Sequence, residues 1–314
     1  MLPYSLGKTL IIANPTAHSG RGEGAAIFAM RFFSSFTSTT STCEVRLTEY
    51  GGDATRMAAM ASDYQTVLAL GGDGVIHEII NGLMTIDPAQ RPRLGVIPMG
   101  SGNDFARTLG MKKNDPEAAI EQLLQGEQRT IDLGKVNDTY FMQTLSFGLD
   151  AAIALDTTDR RARSTRVGGS LLFVTSGLKL ITTAMNGWPY RAQVDGEEFE
   201  DTEIVFAVQN GPTYGGGFRI CPRAVPNDGM LDLCYSHDRT NLAHSLALFG
   251  LIRFGRHQRS KVLTLKQVRH VEVEFLNGEQ APCQVDGEVL LAERYVIDVV
   301  PSALSVIAAP GCGW

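Results

Sequence analysis

Residues 71–74 read Gly-Gly-Asp-Gly, and residues 99–104 read Met-Gly-Ser-Gly-Asn-Asp. Glycine runs of this kind suit one chemical task. Without Cβ atoms the backbone can take positive φ and bring its N–H groups against an anion. Upstream of the first run, Thr66-Val67-Leu68-Ala69-Leu70 is a short apolar stretch rich in strand formers. Downstream, Ile76, Ile79, Ile80 and Leu83 fall at i, i+3, i+4 and i+7, which is one helix face. A helix opening on that loop turns the positive end of its dipole to the same place, so the join is expected to seat a phosphate. In a chain with 33 glycines among 314 residues, a lone Gly-Gly-Asp-Gly could be only a tight turn. A second unit follows at once, with Leu94–Pro98 as strand and 99–102 as loop. Asn103-Asp104 is expected to cap a short helix through Leu109, closed by Gly110. Two glycine loops in succession at strand C-termini are the arrangement of an open α/β sheet with a ligand crevice.

Two carboxylate-bearing turns are near copies: Gln193-Val194-Asp195-Gly196-Glu197 and Gln284-Val285-Asp286-Gly287-Glu288. On residue type alone each reads as a hairpin turn, and Asn227-Asp228-Gly229 as a surface turn. The first loop, 14–24, places Gly20, Gly22 and Gly24 near a dinucleotide fingerprint, but the spacing fails and the approach from the strand is too long. Thr16, Ser19 and Arg21 remain hydroxyl and guanidinium donors suited to phosphate.

The elements that must position these residues change character along the chain. Through about residue 130, strands near 9–13, 44–48, 66–70 and 94–98 alternate with helices near 22–34, 53–61, 75–84, 103–109 and 116–125. Asp115 should cap the last helix, with Pro116 first inside it and Gly126 past its end. This predicts an α/β N-terminal domain with a mainly parallel sheet over 1–130. A β-rich sandwich C-terminal domain is expected over 131–300, with 301–314 a tail returning to the first domain. Its strands are expected at 135–136, 140–146, 190–194, 204–209, 231–235, 271–275, 280–285 and 295–299. Two helices interrupt them, one carrying Leu171, Val174, Leu178, Ile181 and Met185, the other over 241–254.

Composition bounds the class. Hydrophobic content of 44% with 20% charged residues fits a globular protein. No apolar run reaches the roughly 18–20 residues that span a bilayer, and Leu10–Ala13 is too short for a signal-peptide core, so cytoplasmic residence is expected. Five cysteines without a C-x-x-C pair argue against a disulfide framework or a zinc site. A net charge of −6 gives no support to bulk nucleic-acid binding, which wants a basic field. Basic residues bunch locally at Arg160, Arg161, Arg163 and Arg166, and at Arg253, Arg256, Arg259 and Lys261. These are solvated surface or a footing on an anionic membrane at the inner face.

Asn14-Pro15-Thr16, Gly71–Gly74 with Asn81-Gly82-Leu83, and the run from Leu94 to Arg107 resemble the diacylglycerol kinase catalytic fold of bacterial lipid kinases. That group is similar to sphingosine kinases and, more distantly, NAD kinases. The stretch from Pro222 to Asp232 and Val285–Glu288 resemble further stations of the same family, in order. The resemblance implies a nucleotide domain followed by a β-sandwich, with the active site in the cleft between them. It implies ATP held by Asn14, Pro15, Thr16, Thr48, Gly71, Gly72, Asp73, Gly74, Val75, Ile76, His77 and Ser101. It implies Mg²⁺ held by the Asp228 carboxylate and the carbonyls of Val225 and Met230, and Glu288 as general base with Asp286 close by. Val75 and His77 stand where most relatives have threonine and asparagine, and His77 is expected to face solvent.

The expected function is therefore ATP-dependent transfer of the γ-phosphate to a hydroxyl of a diacylglycerol-like lipid at the membrane surface. An NAD kinase-like enzyme and a non-catalytic nucleotide- or lipid-binding regulator are the alternatives. The identity of the lipid and assembly as a homo-oligomer are left open by the sequence.

Overall fold

The computed structural model describes residues 6–35, 42–163, 169–183, 187–203, 205–237, 241–278 and 280–314. The chain divides into two compact units, Met1–Ile131 with Ser302–Trp314, and Asp132–Pro301.

The first unit alternates β1 (Thr9–Ala13), a helical turn α1 (Ala17–Gly20), α2 (Gly22–Ser35), β2 (Cys43–Leu47), α3 (Asp53–Ala59), β3 (Thr66–Gly71), α4 (Asp73–Leu83), β4 (Arg93–Pro98), α5 (Asp104–Thr108) and α6 (Pro116–Gln125). The strands form a parallel sheet in the order β2-β1-β3-β4. Every residue of β1 and β3 is buried, as parallel strands covered on both faces require, whereas edge strand β2 is partly exposed. Ile76, Ile79, Ile80 and Leu83 of α4 are all but fully buried, so the helical spacing read from the sequence is the packed face. In α6 the Asp115 carboxylate accepts from the Ala118 N–H, with Pro116 at the first helical position, as expected. Gly126 is extended rather than left-handed, because the chain passes directly into the next strand.

The chain then runs through β5 (Glu127–Val136), β6 (Thr139–Phe141), β7 (Thr144–Phe147), α7 (Gly148–Arg163), α8 (Gly169–Thr183), β8 (Trp188–Val194), β9 (Glu197–Glu203), β10 (Val205–Gln209), β11 (Leu231–Ser236), α9 (Leu242–Arg253), a 3₁₀ turn His257–Arg259, β12 (Leu263–Val268), β13 (His270–Phe275), β14 (Cys283–Val285), β15 (Glu288–Val289) and β16 (Arg294–Ala308). In the second unit β16 pairs antiparallel with β13, which continues to β8 and β9. The other sheet runs β12-β11-β10-β7-β14-β15. Phe147, Phe206, Tyr190, Tyr235 and Tyr295 from both sheets fill the core between them, with Phe147 edge-on to Tyr295 at 4.8 Å. Ala207 and Cys234 point the other way, into a second cluster with Leu149, Phe173, Leu248 and Ile252 of α7, α8 and α9. β16 bends at Ser302 (φ 50), and its last residues join the first unit, where Val306 pairs with Leu94. The terminus is fixed there by the Trp314 indole N–H, which donates to the Thr108 carbonyl at 2.6 Å.

Several expected elements differ. The strand expected over 140–146 is two strands, β6 and β7, which belong to different sheets. The break falls at Met142 and Gln143, whose N–H groups donate to the Asp286 carboxylate instead of a neighbouring strand. Helix α7 carries a polar, charged outer face that hid its period, and β9 reads EEFEDTE, too acidic to signal a strand by propensity. β12 was also not expected, β14 is shorter and β16 far longer than expected. Ile204, Met185 and Arg166 lie outside the described residues, as do the side chains of Arg161 and Arg163.

Candidate active site

In the first unit the chain order reverses between β1 and β3, and both strands end at the same edge. Asn14 follows β1, donates its N–H to the Leu70 carbonyl, and accepts from the Thr16 N–H and hydroxyl at 2.9 and 2.8 Å. This Asx turn feeds α2, whose start needs Gly22, because a Cβ there would lie 2.0 Å from the Asn14 carbonyl. Beside it β3 feeds α4 through Gly72. The first N–H groups of α2 and α4 have no intrahelical acceptor, and both helix dipoles put their positive ends at this edge. The second glycine loop closes against the first: a Cβ on Gly100 would lie 2.5 Å from the Gly72 Cα, and the Met99 N–H donates to Gly71 O at 2.7 Å. Thr48, just past β2, donates its N–H to Ala13 O, and Ser101 is exposed on the second loop. The arrangement can take a polyanion on backbone N–H groups.

Two readings of this region are corrected. Asn103 does not cap α5 through its side chain. Its backbone is left-handed (φ 52), which sends its Nδ2 to donate to Gly100 O at 2.6 Å. The acceptor at the start of α5 is Asp73, whose Oδ1 accepts from the Phe105 N–H at 3.2 Å, so this carboxylate has a structural role as well. His77 does not face solvent: it is 8% exposed, with the Asn81 amide donating to its carbonyl at 2.9 Å. Val75 and Ile76 are buried too, and the Ile76 N–H donates to the Gly72 carbonyl at 3.2 Å.

In the second unit the two Asp-Gly-Glu turns share one geometry. Asp195 and Gly196 have φ of 50 and 90, Asp286 and Gly287 of 48 and 96, the positive pair that a tight hairpin requires. Each aspartate binds main chain. Asp195 accepts from the N–H groups of Arg269 and His270, whereas Asp286 accepts from Met142, Gln143 and Thr144 at 2.9–3.1 Å. Asp286 thus fixes its turn and leaves the adjacent Glu288 exposed on β15. Glu197 is exposed as well, 3.6 Å from Lys266, and stands on the other sheet.

The Asn-Asp-Gly turn is tied down on both sides. Asp228 accepts from the Met230 N–H at 3.1 Å and from the Gln267 amide at 2.7 Å, and Gly229 donates its N–H to Asp132 at 2.7 Å. Burial, with the Asp228 charge added, pushes the Asp232 carboxyl up to about 6. Among the described residues no three His, Cys, Asp or Glu side chains cluster as a metal site. A carboxylate is nevertheless a hard-oxygen donor of the kind Mg²⁺ takes, and the Asp228 charge acting on Asp232 favours a cation.

One polar pair escaped the sequence reading. Asp150 is buried at the start of α7, its Oδ1 accepting from the Tyr214 hydroxyl while Oδ2 has no partner. The pair lines an apolar cavity of about 60 Å³ with Ile153, Ile181, Leu248 and Ile252. Burial pushes the Asp150 carboxyl from its ordinary 3.8 up to about 6, against the opposing hydroxyls of Tyr214 and Ser146. As pH falls through about 6 the folded chain takes up a proton that the unfolded chain takes only near 3.8, so this group favours folding more as pH falls. Asp150→Asn is therefore expected to stabilise the protein at about pH 8, by about 1–3 kcal/mol, with the gain gone by about pH 4. Thermal melts across that range check it; a variant less stable at the upper end would show the charge to be well accommodated.

Among the described residues no helix is long and apolar enough to cross a membrane. Comparison with known proteins gives two family matches in chain order: a diacylglycerol kinase catalytic domain over residues 8–136, and a YegS C-terminal NAD kinase beta sandwich-like domain over 143–308. A probable lipid kinase YegS-like of Chromohalobacter salexigens is 33% identical over 85% of this chain and 84% of its own. A diacylglycerol kinase of Mycobacterium tuberculosis is 31% identical over 97% of this chain and 96% of its own. A putative diacylglycerol kinase from Bacillus anthracis has the same fold, with a TM-score of 0.81 at 23% identity over 98% of this chain and 97% of that one. With one domain match over the first glycine loops and the other over both carboxylate turns, the chain belongs to the kinase family of the bacterial diacylglycerol kinases and YegS-like lipid kinases.

Proposed function

We propose that the protein transfers the γ-phosphoryl group of ATP to a hydroxyl of a diacylglycerol-like lipid. The observation that carries this reading is the pair of glycine loops in backbone contact before α4 and α5, beside the Asx turn that feeds α2. ATP is assigned to Asn14, Pro15, Thr16, Thr48, the backbone of 71–77, and Ser101. Asp228, with the carbonyls of Val225 and Met230, would hold Mg²⁺, which when bound neutralises charge on the phosphates. Glu288 accepts the proton of the attacking hydroxyl as the new P–O bond forms and the bond to ADP breaks. Asp286 is a positioning residue, since its oxygens are committed to three N–H groups.

The lipid acceptor is supported by the second unit. The cavity beside Asp150 and Tyr214 is apolar with a polar end, the character suited to an acyl chain bearing a hydroxyl. At about 60 Å³ it takes a chain only if the covering helices part. Leu171 and Leu178 on α8, and Leu242 and Phe254 at the ends of α9, are 46–67% exposed, which suits peripheral contact with a bilayer.

ATP consumption with and without mixed micelles of diacylglycerol tests the reading. Lipid-dependent consumption is expected. Consumption that needs NAD instead would make the protein an NAD kinase, and nucleotide binding without any turnover would make it a regulator.

A further inference from the structure

A second cavity, this one polar, is built wholly from second-unit residues. It measures about 780 Å³, within the roughly 300–1,000 Å³ of small-ligand sites, and is lined by Arg223, Arg256, Arg259, Lys266, Gln267 and Asp232. Its walls are set by Gly255, whose positive φ of 66 turns the chain back after α9. The buried His257 then anchors the 3₁₀ turn at 2.8 Å from the Ile220 carbonyl, leaving Arg256 and Arg259 on either side of it in sequence. Among the described residues none of the guanidinium groups of Arg223, Arg256 and Arg259 meets a hydrogen-bond or ion-pair partner, and Lys266 is 3.6 Å from Glu197. Three unengaged arginines and one carboxylate-bearing residue, Asp232, line the cavity, which leaves it with an excess of about two positive charges.

We propose that this cavity binds a phosphate dianion, either free phosphate or the monoester headgroup of a phosphorylated lipid. Guanidinium groups pair with phosphate oxygens in bidentate fashion, and a dianion matches the excess charge where a singly charged phosphodiester does not. Gln267 lines the cavity and also donates to Asp228, so the site adjoins the loop assigned to Mg²⁺.

Calorimetry on the full chain tests this, in phosphate-free buffer with a non-hydrolysable ATP analogue filling the nucleotide loops. The probes are inorganic phosphate and dihexanoyl phosphatidate, with dihexanoyl phosphatidylglycerol as the diester. One saturable site is expected, weakened about tenfold or more in both Arg256→Gln/Arg259→Gln and Arg223→Gln, and at least about tenfold weaker for the diester. Lys261→Gln, an exposed neighbour that does not line the cavity, should change affinity less than about twofold. Binding of both probes assigns the site to phosphate itself, and binding of phosphatidate alone assigns it to the lipid headgroup. Absence of heat with both probes, retention of affinity in the double variant, or an equal loss in Lys261→Gln overturns the proposal. Circular dichroism melts of the variants should overlay the parent, because these side chains hold no structural partner.

Discussion

Glu288→Gln should lower turnover by about 10²–10⁴-fold with ATP affinity little changed, while Glu197→Gln should be nearly silent. The two glutamates follow turns of the same sequence and the same backbone geometry, so turn chemistry cannot separate them. Their surroundings can. The aspartate before Glu288 is held by three N–H groups at the junction where β6 passes to β7, which fixes the turn on the sheet carrying α7. The aspartate before Glu197 closes a hairpin of the other sheet, with Lys266 beside the glutamate. Glutamine keeps the size and hydrogen bonding of either residue and removes only the base. Steady-state kinetics on both variants decide the matter; equal effects, or a larger loss from Glu197→Gln, would move the base assignment elsewhere.

Gly100→Ala should cost at least about tenfold in ATP affinity and about 1–3 kcal/mol in stability, as overpacking of a close contact does. The added methyl would sit 2.5 Å from the Gly72 Cα and 2.6 Å from Asn103 Oδ1, and backbone cannot swing aside as a flexible side chain can. Separating the loops moves the start of α4 away from its place beside β1. Gly24→Ala in α2 is the control, since its Cβ would meet nothing within 4 Å, and removal of a helical glycine should stabilise by about 0.5–1 kcal/mol. Calorimetry and melting curves for the pair check both expectations. Unchanged ATP affinity in Gly100→Ala would detach the second glycine loop from the nucleotide.

Legibility in the sequence followed periodicity. The first unit was readable because buried parallel strands are continuous apolar runs and α4 carries a clean 3.6-residue face. What failed there were side-chain contacts: Asp73 reaching Phe105 from 32 residues away, and Asn103 turned back onto Gly100 by its left-handed backbone. The second unit was readable as β-rich from its Asp-Gly and Asn-Gly turns, yet its pairing was not. The division of 140–146 into two strands depends on Asp286, more than 140 residues away in sequence. Asp150 and Tyr214 gave no signal because a lone acid and a lone phenol 64 residues apart look ordinary until burial joins them.

The most direct test of phosphoryl transfer to a lipid is chromatography of products after incubation with γ-labelled ATP, Mg²⁺, NAD and a panel of lipids. The panel holds diacylglycerol, phosphatidylglycerol, a sphingoid base and a polyprenol. The account predicts label in a lipid product bearing a new phosphomonoester, absent without Mg²⁺ and lost in Glu288→Gln. Label recovered only as inorganic phosphate or in NADP, with every lipid unlabelled, would contradict it.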